Sequence, residues 1–155
     1  MRAILTRVKS ASVVIDGKVN GKIGRGFLIL LGVGPEDTEK ECRYLAEKIL
    51  GLRIFEDEND KMNLGLDAIG GEVLVVSQFT LYGNCRKGRR PSFAGAAGPA
   101  LGNALSEQVR ELCAELGYPP QHGEFGAHME VESVNDGPVT LILDTDQLMH
   151  EPRRS

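Results

Sequence analysis

Tryptophan is absent from this 155-residue chain, and the other aromatics are few: three tyrosines and five phenylalanines. So sparse a set argues against a surface that binds RNA by stacking successive bases. Cysteine is scarce too. Cys42, Cys85 and Cys113 are odd in number, widely spaced and without a C-x-x-C pair. That argues against a disulfide scaffold and a structural zinc site, and fits reduced thiols in a cytoplasmic protein. An excess of positive charge is also missing: 18 basic residues face 22 acidic ones, a net of −4. A general nucleic-acid footprint is thereby disfavoured, although contact with only the end of a nucleic acid stays open. No apolar run approaches the roughly 20 residues that span a bilayer. The stretch around Arg2 and Arg7 is too short for a secretory signal.

What is there suffices for one domain with its own core. Residues 2 to 34 read as strands, at Ala3–Leu5, Ser12–Ile15, Val19–Ile23 and Phe27–Val33, with breaks at Asp16-Gly17, Asn20-Gly21 and Gly24–Gly26. Asp16-Gly17 predicts a type I′ hairpin turn, whose central residues need positive φ. Thr38 and Glu41 have capping-box spacing before an apolar stripe of Cys42, Leu45, Ala46, Ile49 and Leu50, with Gly51 just past the helix end. A short strand is expected within 52–55, a polar loop region over 56–71, and a strand buried on both faces over 72–80. Residues 81–96 read as irregular and basic. A second helix carries Leu101, Leu105, Val109, Leu112 and Leu116 and stops at Gly117. Two strands, about 127–135 and 138–144, would close the domain as a hairpin. The expectation is one layered α/β domain over 1–146, mostly antiparallel, with a loose tail over 147–155. Its helix-free sheet face would pack on a second sheet or a second subunit.

Two segments carry most of the functional information. Ser77-Gln78-Phe79-Thr80 ends the buried strand in small polar side chains. Thr80 could serve as a nucleophile, but no base stands near it in sequence; equally, Ser77 and Thr80 could bond only to backbone. Gln78 and the amides beside it could stabilise an oxyanion, or Gln78 could simply face outward. In Asn135-Asp136-Gly137-Pro138-Val139-Thr140, Gly-Pro interrupts the expected hairpin. It is either a plain turn or a fixed peptide, cis or trans, presenting carbonyl oxygens. Arg86, Lys87, Arg89 and Arg90 place four cations within five residues, a phosphate-contact candidate or a solvated loop. His122 and His128 lack partners at metal-ligand spacing, and His128 is expected to be packed or hydrogen-bonded within a strand. Asp57–Asp60 lacks the glycine of a calcium loop. Gly32-x-Gly34 lacks the third glycine of a dinucleotide fingerprint, whose place Asp37 takes.

These residues together resemble the D-aminoacyl-tRNA deacylase (DTD) family over nearly the whole chain. Residues 77–80 resemble its S-Q-F-T motif and residues 135–140 its N-x-G-P-x-T motif. Lys61–Leu64, Arg89–Phe93 and Gly126–Met129 are supporting matches. The resemblance implies a DTD-like α/β/β fold of stacked sheets with two long helices on one side. It implies a homodimeric hydrolase without metal or cofactor, which cleaves the ester joining a D-amino acid to the 3′-terminal ribose of tRNA. Glycyl-tRNA is an implied further substrate. By the same resemblance, a cis Gly137-Pro138 enters the partner subunit's pocket, captures the substrate amino group on its carbonyls and rejects L side chains. Arg7 helps to hold that segment, and Met129 and Thr140 belong to the same selecting region. Gln78 and the Phe79 and Thr80 amides stabilise the oxyanion beside Ser77, Thr80 has a positioning role, and Arg86, Lys87, Arg89 and Arg90 meet the tRNA. The tRNA's own 2′-hydroxyl would activate the water.

Overall fold

A computed structural model describes residues 1–150; Pro152, Arg153 and Arg154 of the expected tail lie outside the described residues. Strand β1 (Arg2–Ile15) is one 14-residue strand where two short ones were expected. Its buried face changes part-way. Ala3 and Leu5 point into a core against the helices, whereas Val8, Ala11 and Val13 belong to a second core on the opposite side. The switch coincides with irregular pairing to β8 around Arg7 and Lys9, where an inserted residue reverses the alternation of faces. Asp16 (φ +50°) and Gly17 (φ +76°) make the predicted turn into β2 (Lys18–Ile23). Asn20-Gly21 lies within β2, not between strands. β3 (Gly26–Gly32) follows.

Helix α1 (Glu39–Gly51) begins with the predicted capping box, formed in both directions between Thr38 and Glu41. Its last residue is Gly51, and Leu52 caps it in extended conformation. β4 (Phe55–Glu56) overlaps the expected short strand only at Phe55 and pairs with β5 (Met62–Leu64), which, with the single turn α2 (Leu66–Ile69), lies in the region expected to be loop. β6 (Glu72–Ser77) stops three residues short of the 72–80 expectation. Helix α3 (Pro99–Glu115) is followed by Gly117 at φ +98°. β7 (Gln121–His122) is short, and β8 (Glu130–Asp144) is a single long strand. The two-strand hairpin expected over 127–144 is therefore incorrect: residues 136–139 bulge from one strand that pairs with β1 along both halves.

The main sheet is mixed. β1 is antiparallel to β2, β3 and β8, while β3–β6 and β6–β7 are parallel. α1 and α3 cover one face, where Leu45, Ile49, Leu105, Val109 and Leu112 meet Leu5, Phe27, Ile29, Val73 and Val75. On the other face Ala11, Val13 and Ile23 fold over Leu28, Leu74 and Val76. The sheet thus curls onto itself, giving the α/β/β layering. β6 is buried on both sides because its alternate residues serve both cores. Among the described residues, no helix is long and apolar enough to cross a membrane.

Candidate active site

The apolar run of β6 brings Ser77 to the end of a strand that both layers hold. The chain then leaves the sheet: the Gln78 amide donates to the Leu31 carbonyl at 2.7 Å, and Phe79–Tyr82 turn as a short 3₁₀ segment. Thr80 is consequently on this turn, not on the strand. The opening amides of such a turn have no acceptor within it. Among the described residues, no hydrogen bond engages the Phe79 or Thr80 amide. Ser77, Gln78, Phe79 and Thr80 line a cleft of about 240 Å³ whose other wall is Ala127, His128, Met129 and Val131. His128 is exposed there, ahead of β8 and outside any strand, contrary to expectation. Ser77 and Phe79 also border a second, mainly apolar pocket of about 460 Å³, with Phe93, Ala97, Pro99 and Phe125.

The second motif is built around a buried cation. Thr6 of β1 pairs with Thr140 and Val8 with Asn135, so Arg7 alone stands opposite residues 136–139. Arg7 is 2% exposed. Its Nε donates to the Asp136 carbonyl at 3.0 Å and its Nη1 to the Ile54 carbonyl at 2.6 Å. Carboxylates of Glu56 (3.1 Å) and Asp136 (3.6 Å) balance its charge. The ends of the bulge are tied by Asn135, which donates from Nδ2 to Thr140 Oγ1 at 3.2 Å and accepts from the Val139 amide at 3.1 Å. The Gly137-Pro138 peptide is cis, and Gly137 has φ +128°. A β-carbon at Gly137 would stand 2.7 Å from Arg7 Nη2, so glycine is required by conformation and by space.

The profile of the D-Tyr-tRNA(Tyr) deacylase family matches residues 4–144, which include both motifs.

The chain belongs to the D-Tyr-tRNA(Tyr) deacylase family.

A D-aminoacyl-tRNA deacylase of Desulfatibacillum aliphaticivorans is 61% identical over 145 residues, covering 94% of this chain and 99% of that protein. Among solved structures, the c-Myc DNA Unwinding Element Binding Protein superposes with a TM-score of 0.87 at 39% identity, over 93% of this chain and 98% of that one. A probable eukaryotic D-amino acid tRNA deacylase superposes with a TM-score of 0.79 over 92% and 97% of the two chains. At 17% identity it speaks for the fold alone.

Within this deacylase-family chain, folding brings Met129 to Ser77–Thr80, but Arg7, Gly137, Pro138 and Thr140 do not line that cleft. Arg7 pairs with Phe27 of β3, whereas Ser77 pairs with Leu31, four residues further along. The bulge therefore lies about 13 Å along the strand direction from Ser77 and three strands away across β1 and β3, each step adding about 4.8 Å. Between the motifs, a cross-strand row runs from half-buried Leu30 and Ile4 to Ile142, which is 77% exposed. The basic residues Arg86, Lys87, Arg89 and Arg90 are all exposed on a loop closed by paired Asn84 and Ser92, next to Phe93 of the apolar pocket.

Several contributors were not found from sequence. Ile54 and Glu56 hold Arg7 from a segment with no motif of its own. Phe125 joins the apolar pocket from a loop. The Asn135–Thr140 tie was open to inference, because both polar residues bracket Gly-Pro. Burial pushes the Cys42 and Cys113 thiols up to about 12 and about 11, so neither offers a thiolate near neutral pH. Among the described residues, no cluster of three or more potential metal ligands exists.

Proposed function

We propose that this chain hydrolyses the ester of D-aminoacyl-tRNA, and of mischarged glycyl-tRNA, as a homodimer in which each Gly137-Pro138 bulge enters the partner's cleft. The carrying observation is the cleft edge at Gln78–Thr80, with two unengaged backbone amides beside a carboxamide. Donors fixed in advance toward a developing oxyanion lower the barrier without reorganising during reaction. The Gln78 side chain and the Phe79 and Thr80 amides take that role, and Ser77 helps to shape the edge. Thr80 positions the substrate.

The separation of the two motifs within one chain supports the dimer. A second copy lying on the Leu30–Ile4–Ile142 face would cover an apolar row and bring a bulge toward the facing cleft. Arg7, Asn135 and Thr140 then act as holders of the selector, while Met129 bounds the substrate. The Gly137 and Pro138 carbonyls take the α-amino group and leave no room for an L side chain. Rejection by an immovable wall and unmatched polar groups exceeds the roughly 1–3 kcal/mol that an apolar pocket gives per methylene. Glycine, lacking a side chain, passes the same wall. The tRNA's terminal 2′-hydroxyl activates the attacking water. The apolar pocket sharing Ser77 and Phe79 receives the terminal base, and Arg86, Lys87, Arg89 and Arg90 meet the phosphates preceding it. Residues 1–146 constitute the catalytic domain, working in the cytoplasm.

Thr80 and His128 line the same cleft, which favours one rival reading, a threonine-nucleophile esterase. Among the described residues no hydrogen bond joins Thr80 to His128, and the backbone mechanism needs none. Hydrolysis of matched D- and L-aminoacyl-tRNA, with glycyl-tRNA alongside and chelator present, tests the proposal. Release from the D and glycyl esters with the L ester spared is the expected result. Equal release of D and L esters would remove the selector and leave the threonine esterase.

A further inference from the structure

Gly32-x-Gly34 matches no nucleotide fingerprint, yet it lies directly beneath the turn that carries Phe79 and Thr80. A β-carbon on Gly32 would stand 3.1 Å from the Gln78 carbonyl oxygen, 3.2 Å from Leu81 Cβ and 3.2 Å from the Tyr82 ring. One on Gly34 would stand 2.9 Å from the Tyr82 hydroxyl. Two side-chain-free positions at the end of β3 thus let the turn settle onto the sheet. What fastens it comes from the neighbouring strand. Arg2 pairs across β1 with Gly32 on one side and with Asp144 on the other. Its Nε bonds Asp144 Oδ2 at 3.2 Å, its Nη1 donates to the Leu81 carbonyl at 3.1 Å, and its guanidinium lies over the Tyr82 ring, 4.4 Å from the centroid.

We infer that Arg2 is a positioning residue for the catalytic turn: its guanidinium, oriented by Asp144, clamps Leu81 and Tyr82 onto the Gly32–Gly34 seat and so fixes the Phe79 and Thr80 amides at the cleft. The inference rests on the reading of Gln78–Thr80 as the oxyanion-stabilising edge. Its physical basis is the planar guanidinium fork. One group bonds a carboxylate, bonds a carbonyl and stacks on a ring at once, which an ammonium cannot do. The consequence is catalytic because oxyanion donors act only when aimed in advance. A misplacement of about 1 Å costs on the order of 100-fold in rate. Arg2 does not line the cleft, so substrate affinity does not depend on it directly. Tyr82 belongs to the same device: its ring is half-buried between Arg2 and the glycine seat.

The test is Arg2→Ala and Arg2→Lys in the full-length protein, read by steady-state hydrolysis of D-aminoacyl-tRNA and by amide chemical shifts of Phe79, Thr80 and Leu81. Thermal unfolding serves as the check on folding. The expected result for Arg2→Ala is a kcat lower by about 10- to 100-fold, KM little changed, and displaced Phe79 and Thr80 amide signals. Arg2→Lys recovers only part of kcat, because one ammonium replaces the fork. Combining Arg2→Ala with Tyr82→Ala costs less than the product of the two separate effects. Unmoved amide signals in folded Arg2→Ala would overturn the inference whatever the rate does. Moved signals with kcat untouched would instead overturn the catalytic reading of the turn. A fall in thermal stability with kcat and KM changed together, and no local shift at Phe79 and Thr80, would reduce Arg2 to a structural role and overturn the inference as well.

Discussion

Arg7 Nε donates to the carbonyl oxygen of Asp136, 3.0 Å away, from the single β1 position that faces residues 136–139 of β8. One buried guanidinium thereby fills the space that a four-residue bulge opens beside a one-residue partner. It is at once the bulge's hydrogen-bond donor and its counter-charge.

Replacing Arg7 by alanine leaves the Ile54 and Asp136 carbonyls without this donor and the Asp136 and Glu56 carboxylates without their cation. Breaking a buried ion pair costs about 3–5 kcal/mol, and the partial exposure of Glu56 places this case near the lower bound. Urea unfolding should show a loss of about 3 kcal/mol, with D-over-L preference reduced in the remaining folded protein. Arg7→Lys, which keeps the charge without the fork, should recover stability only in part. An unchanged unfolding midpoint in Arg7→Ala would refute the cation's holding role.

Gly137→Ala should be more harmful to selection than to folding. The added methyl meets Arg7 Nη2 at 2.7 Å and the backbone stands at φ +128°, a conformation costing about 1–3 kcal/mol for a non-glycine residue. Parallel assays on D- and L-aminoacyl-tRNA are expected to show the ratio of the two rates collapsing. An unaltered ratio would remove Gly137 from the selector.

Thr80→Ala is expected to retain appreciable turnover. Removing a true nucleophile costs about 10⁴-fold or more, whereas the backbone amide of residue 80 survives the substitution. A single-turnover assay on the purified variant distinguishes the two. Loss of hydrolysis with folding and tRNA binding intact, or an acyl adduct on Thr80 found by mass spectrometry, would favour the threonine esterase.

Arg89→Ala combined with Arg90→Ala should raise KM for D-aminoacyl-tRNA while kcat changes little. The salt dependence of binding should become shallower, its log–log slope falling by about 0.7 for each single-strand phosphate that no longer has a cation beside it. Affinity measurements at several salt concentrations check this. An unchanged slope would return the loop to ordinary solvated surface.

The α1 capping box predicts a pH effect on stability. Burial pushes the Glu41 carboxyl upward, but hydrogen bonds from the Thr38 hydroxyl and amide, its own amide and His150 outweigh it, and the group is held at about 2 against an ordinary 4.5. The folded value is depressed, so its contribution is fully present above about pH 4.5 and is lost as pH falls toward 2. Thr38→Ala should flatten stability against pH in that window and cost about 1 kcal/mol at neutral pH. Urea midpoints between pH 2 and pH 6 provide the comparison.

Local order was written where local chemistry suffices. The Asp16-Gly17 turn, the Thr38–Glu41 cap and the apolar stripes of α1 and α3 need only neighbouring residues, and they formed as read except at Leu116, which lies past the end of α3 and is exposed. β1 was not legible as one strand, because its face reversal near Arg7 depends on pairing with residues more than a hundred positions away. The same holds for β8. Gly-Pro looks like a hairpin turn in sequence, and only the continuous β1 partner makes it a bulge. The early end of β6 follows from the Gln78 amide finding Leu31 and from the turn settling on Gly32.

By itself, then, the sequence determined the residue types of both motifs, the helices and the two-sided burial of Val73–Val76, since periodicity and short-range bonding carry that information. Tertiary structure alone decided that Met129 would join Ser77–Thr80 and that Gly137-Pro138 would not. It also decided that Arg7 and Arg2 would each fasten one of the two segments. Those relations depend on strand register and sheet curl, which set distances between residues remote in the chain, and no local pattern of side chains encodes such distances.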